Sequence, residues 1–258
     1  MAKYTDPIAV FDSGMGGISV LKEMVRLMPE EDFIYFGDSR NAPYGTKTLE
    51  EVQSLTLSNI AYLLKEHHAK AIAVACNTAT SAAVRVLREK YPDLPLVGVE
   101  PAIKPAVRSM EHPRVLVMAT PYTINGEKFH RLQHLYEEES TIYPLACAGL
   151  MEFVENGELY GEDLERFLHG LMDPYLEKGI DCIVLGCTHY PFVRDTIQKI
   201  AGDEVAIFDG SFGTARELRR RITVAGLNQE PEHQGRVTFY NSSGDPGRVR
   251  LSQMLFEL

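Results

Sequence analysis

No apolar run in this chain approaches the roughly 18 residues that a membrane helix needs. A transmembrane span is therefore excluded on length. The opening residues, Met1-Ala2-Lys3-Tyr4-Thr5-Asp6, hold no signal-peptide core and run almost at once into a strand-like segment, so the expected compartment is cytoplasmic. No low-complexity linker interrupts the sequence. Cysteine is scarce: the four are Cys76, Cys147, Cys182 and Cys187, too few for a disulfide scaffold, and in a reducing compartment they are thiols. Basic residues are in deficit, 26 Lys plus Arg against 36 Asp plus Glu, which gives a formal charge of −10. Such a chain repels phosphate backbones, so no nucleic-acid partner is expected. The densest basic cluster, Arg219-Arg220-Arg221, reads as the solvated end of a helix. With 45% hydrophobic and 24% charged residues, intrinsic disorder is excluded as well.

What is present is an alternation of short apolar runs with helical patterns over 258 residues, enough for one large domain or two small ones. Strands are expected at 8–11, 33–36, 71–75, 95–99, 114–118, 141–144, 182–186, 205–208 and 236–240. Helices are expected at 18–27, 49–67, 80–90, 125–136, 150–156, 163–177 and 248–257, with another after Pro191. This βαβα rhythm predicts parallel sheets covered on both faces. Two internal echoes suggest a duplication. Val10-Phe11-Asp12-Ser13-Gly14-Met15-Gly16-Gly17 resembles Ile207-Phe208-Asp209-Gly210-Ser211-Phe212-Gly213-Thr214, and Val74-Ala75-Cys76-Asn77-Thr78 resembles Leu185-Gly186-Cys187-Thr188-His189.

In open α/β sheets ligands bind beyond the carboxyl ends of the strands. Cys76 and Cys187 both fall there, each expected just before a helix, whose free N–H groups and positive dipole end favour thiolate over thiol. Cys147 and Cys182 read as buried and inert. Asn77-Thr78 and Thr188-His189 are poor core residues and good ligands for a small anion. Other chemistries fit less well. The spacing of Cys182, Cys187 and His189 matches no common zinc pattern, so no metal is expected. Asp12–Gly17 is glycine-rich but lacks the Lys and Ser/Thr of a P-loop and does not read as G-x-G-x-x-G. A single Cys187–His189 nucleophile would leave Cys76 unexplained. His67-His68 reads as a solvated pair. Two equivalent cysteines suit a symmetric task, and inverting a carbon stereocentre is one: a base removes a proton from one face and an acid returns one to the other.

Six stretches carry a resemblance: 10–17, Gly37-Asp38 with Pro43-Tyr44-Gly45-Thr46-Lys47, Ala75-Cys76-Asn77-Thr78-Ala79, Gly98-Val99-Glu100-Pro101-Ala102, Phe153-Val154-Glu155-Asn156-Gly157, and Leu185-Gly186-Cys187-Thr188-His189-Tyr190-Pro191. In this order, and over nearly the whole chain, they closely resemble the glutamate racemases of the aspartate/glutamate racemase superfamily. The resemblance implies two similar doubly wound α/β domains related by a pseudo-two-fold, with the active site in the cleft between them. The first domain would be discontinuous, 1–98 plus 208–258, and the second would span 99–207. It implies interconversion of L- and D-glutamate without a cofactor, supplying D-glutamate for peptidoglycan. Cys76 and Cys187 would be the acid/base thiols, Asp12 assisting Cys76, and His189 with Glu155 assisting Cys187. Asp12, Ser13, Asn77, Thr78, Thr188 and His189 would line the substrate, Tyr44 and Gly45 would sit in a closing loop, and Thr120 is a further candidate ligand. The chain begins close to its first strand, so regulation through a long N-terminal extension is not expected. A homodimer is left open. So are racemisation of aspartate or another small amino acid, and a non-catalytic acidic amino-acid binder.

Overall fold

The computed structural model describes residues 2–258, with Lys128 by its backbone alone; Met1 of the opening segment lies outside the described residues. The first stretch alternates β1 (Ile8–Asp12), α1 (Ile18–Leu27), β2 (Phe33–Gly37), α2 (Leu49–Glu66), β3 (Ala71–Val74), α3 (Asn77–Lys90) and β4 (Leu96–Gly98). The second runs α4 (Ile103–Val107), β5 (Arg114–Ala119), α5 (Pro121–Ile124), α6 (Glu127–Leu135), β6 (Thr141–Ala146), α7 (Leu150–Glu155), α8 (Glu162–Leu176), β7 (Cys182–Leu185), α9 (Arg194–Ala201) and β8 (Ala206–Asp209). Then come α10 (Ser211–Val224), β9 (Val237–Asn241) and α11 (Pro246–Glu257). The chain forms two compact units, 1–99 with 211–258, and 100–210. The return expected at 208 would cut through β8, whose ladder to β7 extends to Asp209 and carries the second unit to Gly210.

Each unit is built on one all-parallel sheet, ordered β4-β3-β1-β2-β9 in the first and β6-β5-β7-β8 in the second. Matched strand for strand in chain order, the second sheet repeats the first four strands of the first: β8-β7-β5-β6 against β4-β3-β1-β2. Cys76 follows β3 and Cys187 follows the equivalent β7, so the cysteine echo is a topological one. The Asp12–Asp209 echo is not, because Asp12 ends β1 while Asp209 ends β8, the counterpart of β4.

The strands read as continuous apolar runs because both faces are covered. In the first unit Ala9, Phe11, Ile34, Phe36, Ile72 and Val74 pack with Val52, Ile60 and Leu63 of α2 and with Ala83 and Leu87 of α3. On the opposite face α1 packs against α10 and α11. In the second unit Val115, Val117, Ile142 and Val184 pack with Ile103 and Val107 of α4, Ile124 of α5 and Phe129 of α6. Among the described residues no helix is long and apolar enough to cross a membrane.

Some elements differ from the sequence reading. The α3 helix starts at Asn77, not Thr80, since Cys76 takes the N-cap position and its sulfur accepts from the Ala79 N–H at 3.4 Å. The helix expected over 125–136 is two: Thr120 caps α5, Pro121 opens it, and the chain breaks at Asn125-Gly126 before α6. The five-turn α2 begins with a capping box, Thr48 accepting from the Glu51 N–H and Glu51 from the Thr48 N–H; α4 carried no clear sequence signal, and α10 was expected only through its Arg219-Arg220-Arg221 end.

At the amino ends of the strands, Lys70 and Glu31 form a salt bridge with side chains 0% and 1% exposed. Lys70 also donates to the Tyr4 carbonyl, and Glu31 accepts from the Gln229 N–H at 3.0 Å. Removing one charge strands the other in a dry interior. Lys70→Met is therefore expected to cost about 3–5 kcal/mol in urea unfolding, and adding Glu31→Leu to recover most of it. Equal stability of the single and double variants would show that the charges are not coupled.

Candidate active site

The first unit offers a sulfur at the end of β3. The ladder continues one residue past the strand, the Ala75 N–H donating to the Phe11 carbonyl at 2.7 Å, and Cys76 is the next residue. It is 6% exposed and caps the 14-residue α3, so its sulfur sits in the field of the free N–H groups there. Asp12 ends the neighbouring β1 fully buried, and its carboxylate accepts from the Ser13 N–H at 2.7 Å and the Gly17 N–H at 2.6 Å. That clamp folds the turn after β1 back on itself. A Cβ at Gly17 would lie 2.8 Å from the Cβ atoms of Asp12 and Ala75, which is why glycine stands there. The turn places the Ser13 hydroxyl 3.3 Å from Cys76 Sγ and 3.4 Å from Asp12 Oδ1. Asn77 and Thr78 are buried on the first turn of α3, and Asn77 Oδ1 has no hydrogen-bond partner among the described residues. A buried acceptor in that state suits a donor brought by a ligand.

The second unit repeats the position with different partners. The Gly186 N–H donates to the Met118 carbonyl at 2.7 Å, and Cys187 is the next residue, 7% exposed. The helix expected directly after it is a single 3-10 turn, Tyr190–Val193, and α9 starts only at Arg194. An imidazole replaces the helix N-terminus: His189 Nδ1 lies 3.6 Å from Cys187 Sγ, and its Nε2 lies 2.8 Å from Glu155 Oε1. Burial pushes the imidazole towards neutrality, but the bonds to Cys187 and Glu155 outweigh it and hold His189 well above its ordinary value. These bonds favour the imidazolium, the form in which both ring nitrogens can donate. Thr188, which separates Cys187 and His189 in sequence, is also buried.

The chain as a whole has counterparts among known proteins. The family model described as Asp/Glu/Hydantoin racemase matches residues 8–217. A curated glutamate racemase of Clostridium perfringens is 50% identical over 98% of this chain and 96% of its own length. The chain belongs to the Asp/Glu/Hydantoin racemase family. It is an isomerase acting on an amino acid. The crystal structure of the Francisella tularensis glutamate racemase, solved with D-glutamate, matches 99% of this chain and 95% of that one, with a TM-score of 0.83 at 30% identity. The Escherichia coli glutamate racemase, solved with L-glutamate and the activator UDP-MurNAc-ala, matches with a TM-score of 0.83 at 29% identity, over 97% of this chain and 95% of that one.

Within this racemase, the remaining candidates divide. Tyr44 is buried, its ring packed at a tilt on Phe11 and its hydroxyl donated to Asp38 at 2.6 Å. Burial, and then that bond, raise the phenol well above its ordinary range, so it stays a donor. Gly45 lies in the same short 3-10 turn, Tyr44–Thr46. Thr120 caps α5, accepting from the Thr123 N–H at 3.3 Å. Burial pushes Cys147 up to about 12 and Cys182 up to about 11, and the Cys182 sulfur lies 3.8 Å from the Ala106 carbonyl oxygen. Among the described residues no three His, Cys, Asp or Glu side chains are grouped to hold a metal ion. Asp38 is the residue that sequence reasoning passed over. Its buried carboxylate accepts from Asn41, Tyr44, Asn59 and Ser242, and its N–H donates to the Asp12 carbonyl, so it ties the 38–46 loop to α2, the end of β9 and the turn beside Cys76.

The Glu155 carboxylate helps to keep His189 charged, so the sign of a test is fixed. In Glu155→Gln the imidazole gives up its proton at lower pH, and the alkaline limb of the pH–kcat profile moves to lower pH. An unmoved limb would remove Glu155 from this role.

Proposed function

We propose that the chain interconverts L- and D-glutamate by a two-thiol mechanism without a cofactor, and so supplies D-glutamate for peptidoglycan in the cytoplasm. The observation that carries this reading is the pair of thiols at equivalent strand ends, each with its own acid/base support. The relatives solved with D-glutamate and with L-glutamate support the substrate.

The α-proton of an amino-acid carboxylate is a far weaker acid than any side chain, so a base alone is not enough. One thiolate takes the proton from one face of Cα. The other thiol gives its proton to the opposite face, and the configuration inverts. The two sulfurs have then exchanged protonation states, which readies the enzyme for the other enantiomer. For the direction in which Cys187 is the base, the imidazolium of His189 offers its Nδ1–H to the sulfur. For the other direction, Cys76 has the N–H groups of α3, with Asp12 behind Ser13. The hydroxyls of Ser13, Thr78 and Thr188 and the backbone N–H groups of Tyr44, Gly45 and the two strand ends are suited to the substrate carboxylates, with Thr120 a further candidate. The sequence reading gave Asn77 to a carboxylate as well. Its unpartnered Oδ1 needs a donor, and the substrate ammonium is the strongest donor an amino acid carries. Retaining that ammonium, together with fixed donors in a dry site, lowers the energy of the developing carbanion. Two thiols supply both proton transfers, so pyridoxal phosphate has no step to perform.

Polarimetry with L-glutamate, L-aspartate and L-alanine tests the substrate, and only glutamate should lose its rotation. Cys76→Ser and Cys187→Ser are each expected to abolish nearly all racemisation, because a serine hydroxyl is far too weak an acid to stand in for a thiol. Cys147→Ser and Cys182→Ser should retain it. In heavy water, deuterium should enter product faster than remaining substrate, since each thiol protonates only its own face. Comparable labelling of both would point to a single base.

A further inference from the structure

We propose that Ser13 is a positioning residue for Cys76, whose hydroxyl turns to follow the proton on the sulfur. The hydroxyl oxygen stands between two acceptors at nearly equal range, 3.3 Å from Cys76 Sγ and 3.4 Å from Asp12 Oδ1, in a pocket where Ser13 itself is 6% exposed. A hydroxyl both gives and takes a hydrogen bond. When Cys76 carries its proton, the S–H donates to Ser13 Oγ and the Ser13 O–H donates to Asp12. When Cys76 is a thiolate, the O–H swings round and donates to the sulfur. Asp12 can release that bond at small cost, because backbone N–H groups of Ser13 and Gly17 already hold both of its oxygens at 2.7 and 2.6 Å. Cys76 must act as base in one direction and as acid in the other, and a hydroxyl rotor serves both states. The imidazolium beside Cys187 can only donate. Without the Ser13 hydroxyl, a thiolate at Cys76 would face the Asp12 carboxylate with one donor fewer between them.

The kinetic part of this inference rests on the two-thiol reading; the measurement on the thiol itself does not. In a Cys147→Ser, Cys182→Ser, Cys187→Ser background Cys76 is the sole thiol, and its alkylation by iodoacetamide can be followed against pH without substrate. Ser13→Ala in that background should move the midpoint of alkylation upward by roughly one pH unit, as the loss of a donor to an anion requires. Ser13→Thr, which keeps the hydroxyl, should restore the midpoint. In the enzyme with its native cysteines, Ser13→Ala should lower kcat more in the direction where Cys76 is the base, with kcat/KM falling equally in both. If Ser13→Ala does not fold, Ser13→Gly deletes the same hydroxyl and is read in the same way. An unmoved alkylation midpoint overturns the inference, and a rise in KM alone would then assign Ser13 to substrate binding. A moved midpoint together with full racemisation by Cys76→Ser would sink the two-thiol reading and leave the positioning of the thiol standing.

Discussion

The inner strands of a parallel sheet covered on both faces have their backbone satisfied along their length and lose it at the strand ends, and the candidate chemistry of this protein follows from that constraint. The inner strands β1 and β5 pair with a neighbour on each side, and apolar side chains pack around them. At the carboxyl ends the ladder stops, and the next residue is the first whose side chain can face something other than core. In β3 and β7 that residue is cysteine, each one position past the last ladder bond. Two sheets with the same strand order therefore put two sulfurs at the same register.

Equivalent register did not bring equivalent chemistry. Two residues after Cys76 stands Thr78, inside a helix that begins at once; two residues after Cys187 stands His189, ahead of a short 3-10 turn. The helix supplies free N–H groups to the first sulfur, and the imidazolium supplies a full charge to the second. The neighbouring strands diverge as well. β1 ends in Asp12-Ser13, with a carboxylate that pins its own turn, while β5 ends in Ala119-Thr120, whose hydroxyl caps a helix. The two halves have kept topology and changed electrostatics.

What the sequence made legible was local. Strand ends, the cysteines and their immediate neighbours lie within a few residues of one another, so pattern alone marks them. The pairing of His189 with Glu155 spans 34 positions and was reached only through the resemblance to glutamate racemases. Asp38 stood in one of the stretches that carry the resemblance but received no role, because that role exists only after folding: its donors come from the same loop, from α2 and from Ser242, 204 residues away. The Lys70–Glu31 pair escaped for the same reason. The start of α3 was misread because Asn77, Thr78 and Thr80 are weak helix formers. A sulfur cap on the Ala79 N–H and the bond from Thr80 to the Val74 carbonyl settle them into the first turn. The Asp12–Asp209 echo was a likeness of letters. Asp12 clamps backbone N–H groups, whereas Asp209 accepts from Arg194 at 3.2 Å.

Interconverting enantiomers is a mirror-symmetric task, yet thermodynamics does not ask for mirror-related machinery. The equilibrium constant between enantiomers in water is one, so kcat/KM must be equal in the two directions. That equality constrains one barrier height measured from free enzyme and free substrate. It places no demand on which groups hold each thiol, nor on how kcat and KM separately divide the burden. Under the proposed two-thiol mechanism, a helix N-terminus at Cys76 and the His189–Glu155 pair at Cys187 would satisfy it as well as two identical sites. The shared strand order accounts for the symmetric part, two sulfurs at matching strand ends, and leaves the partners of each sulfur free to differ.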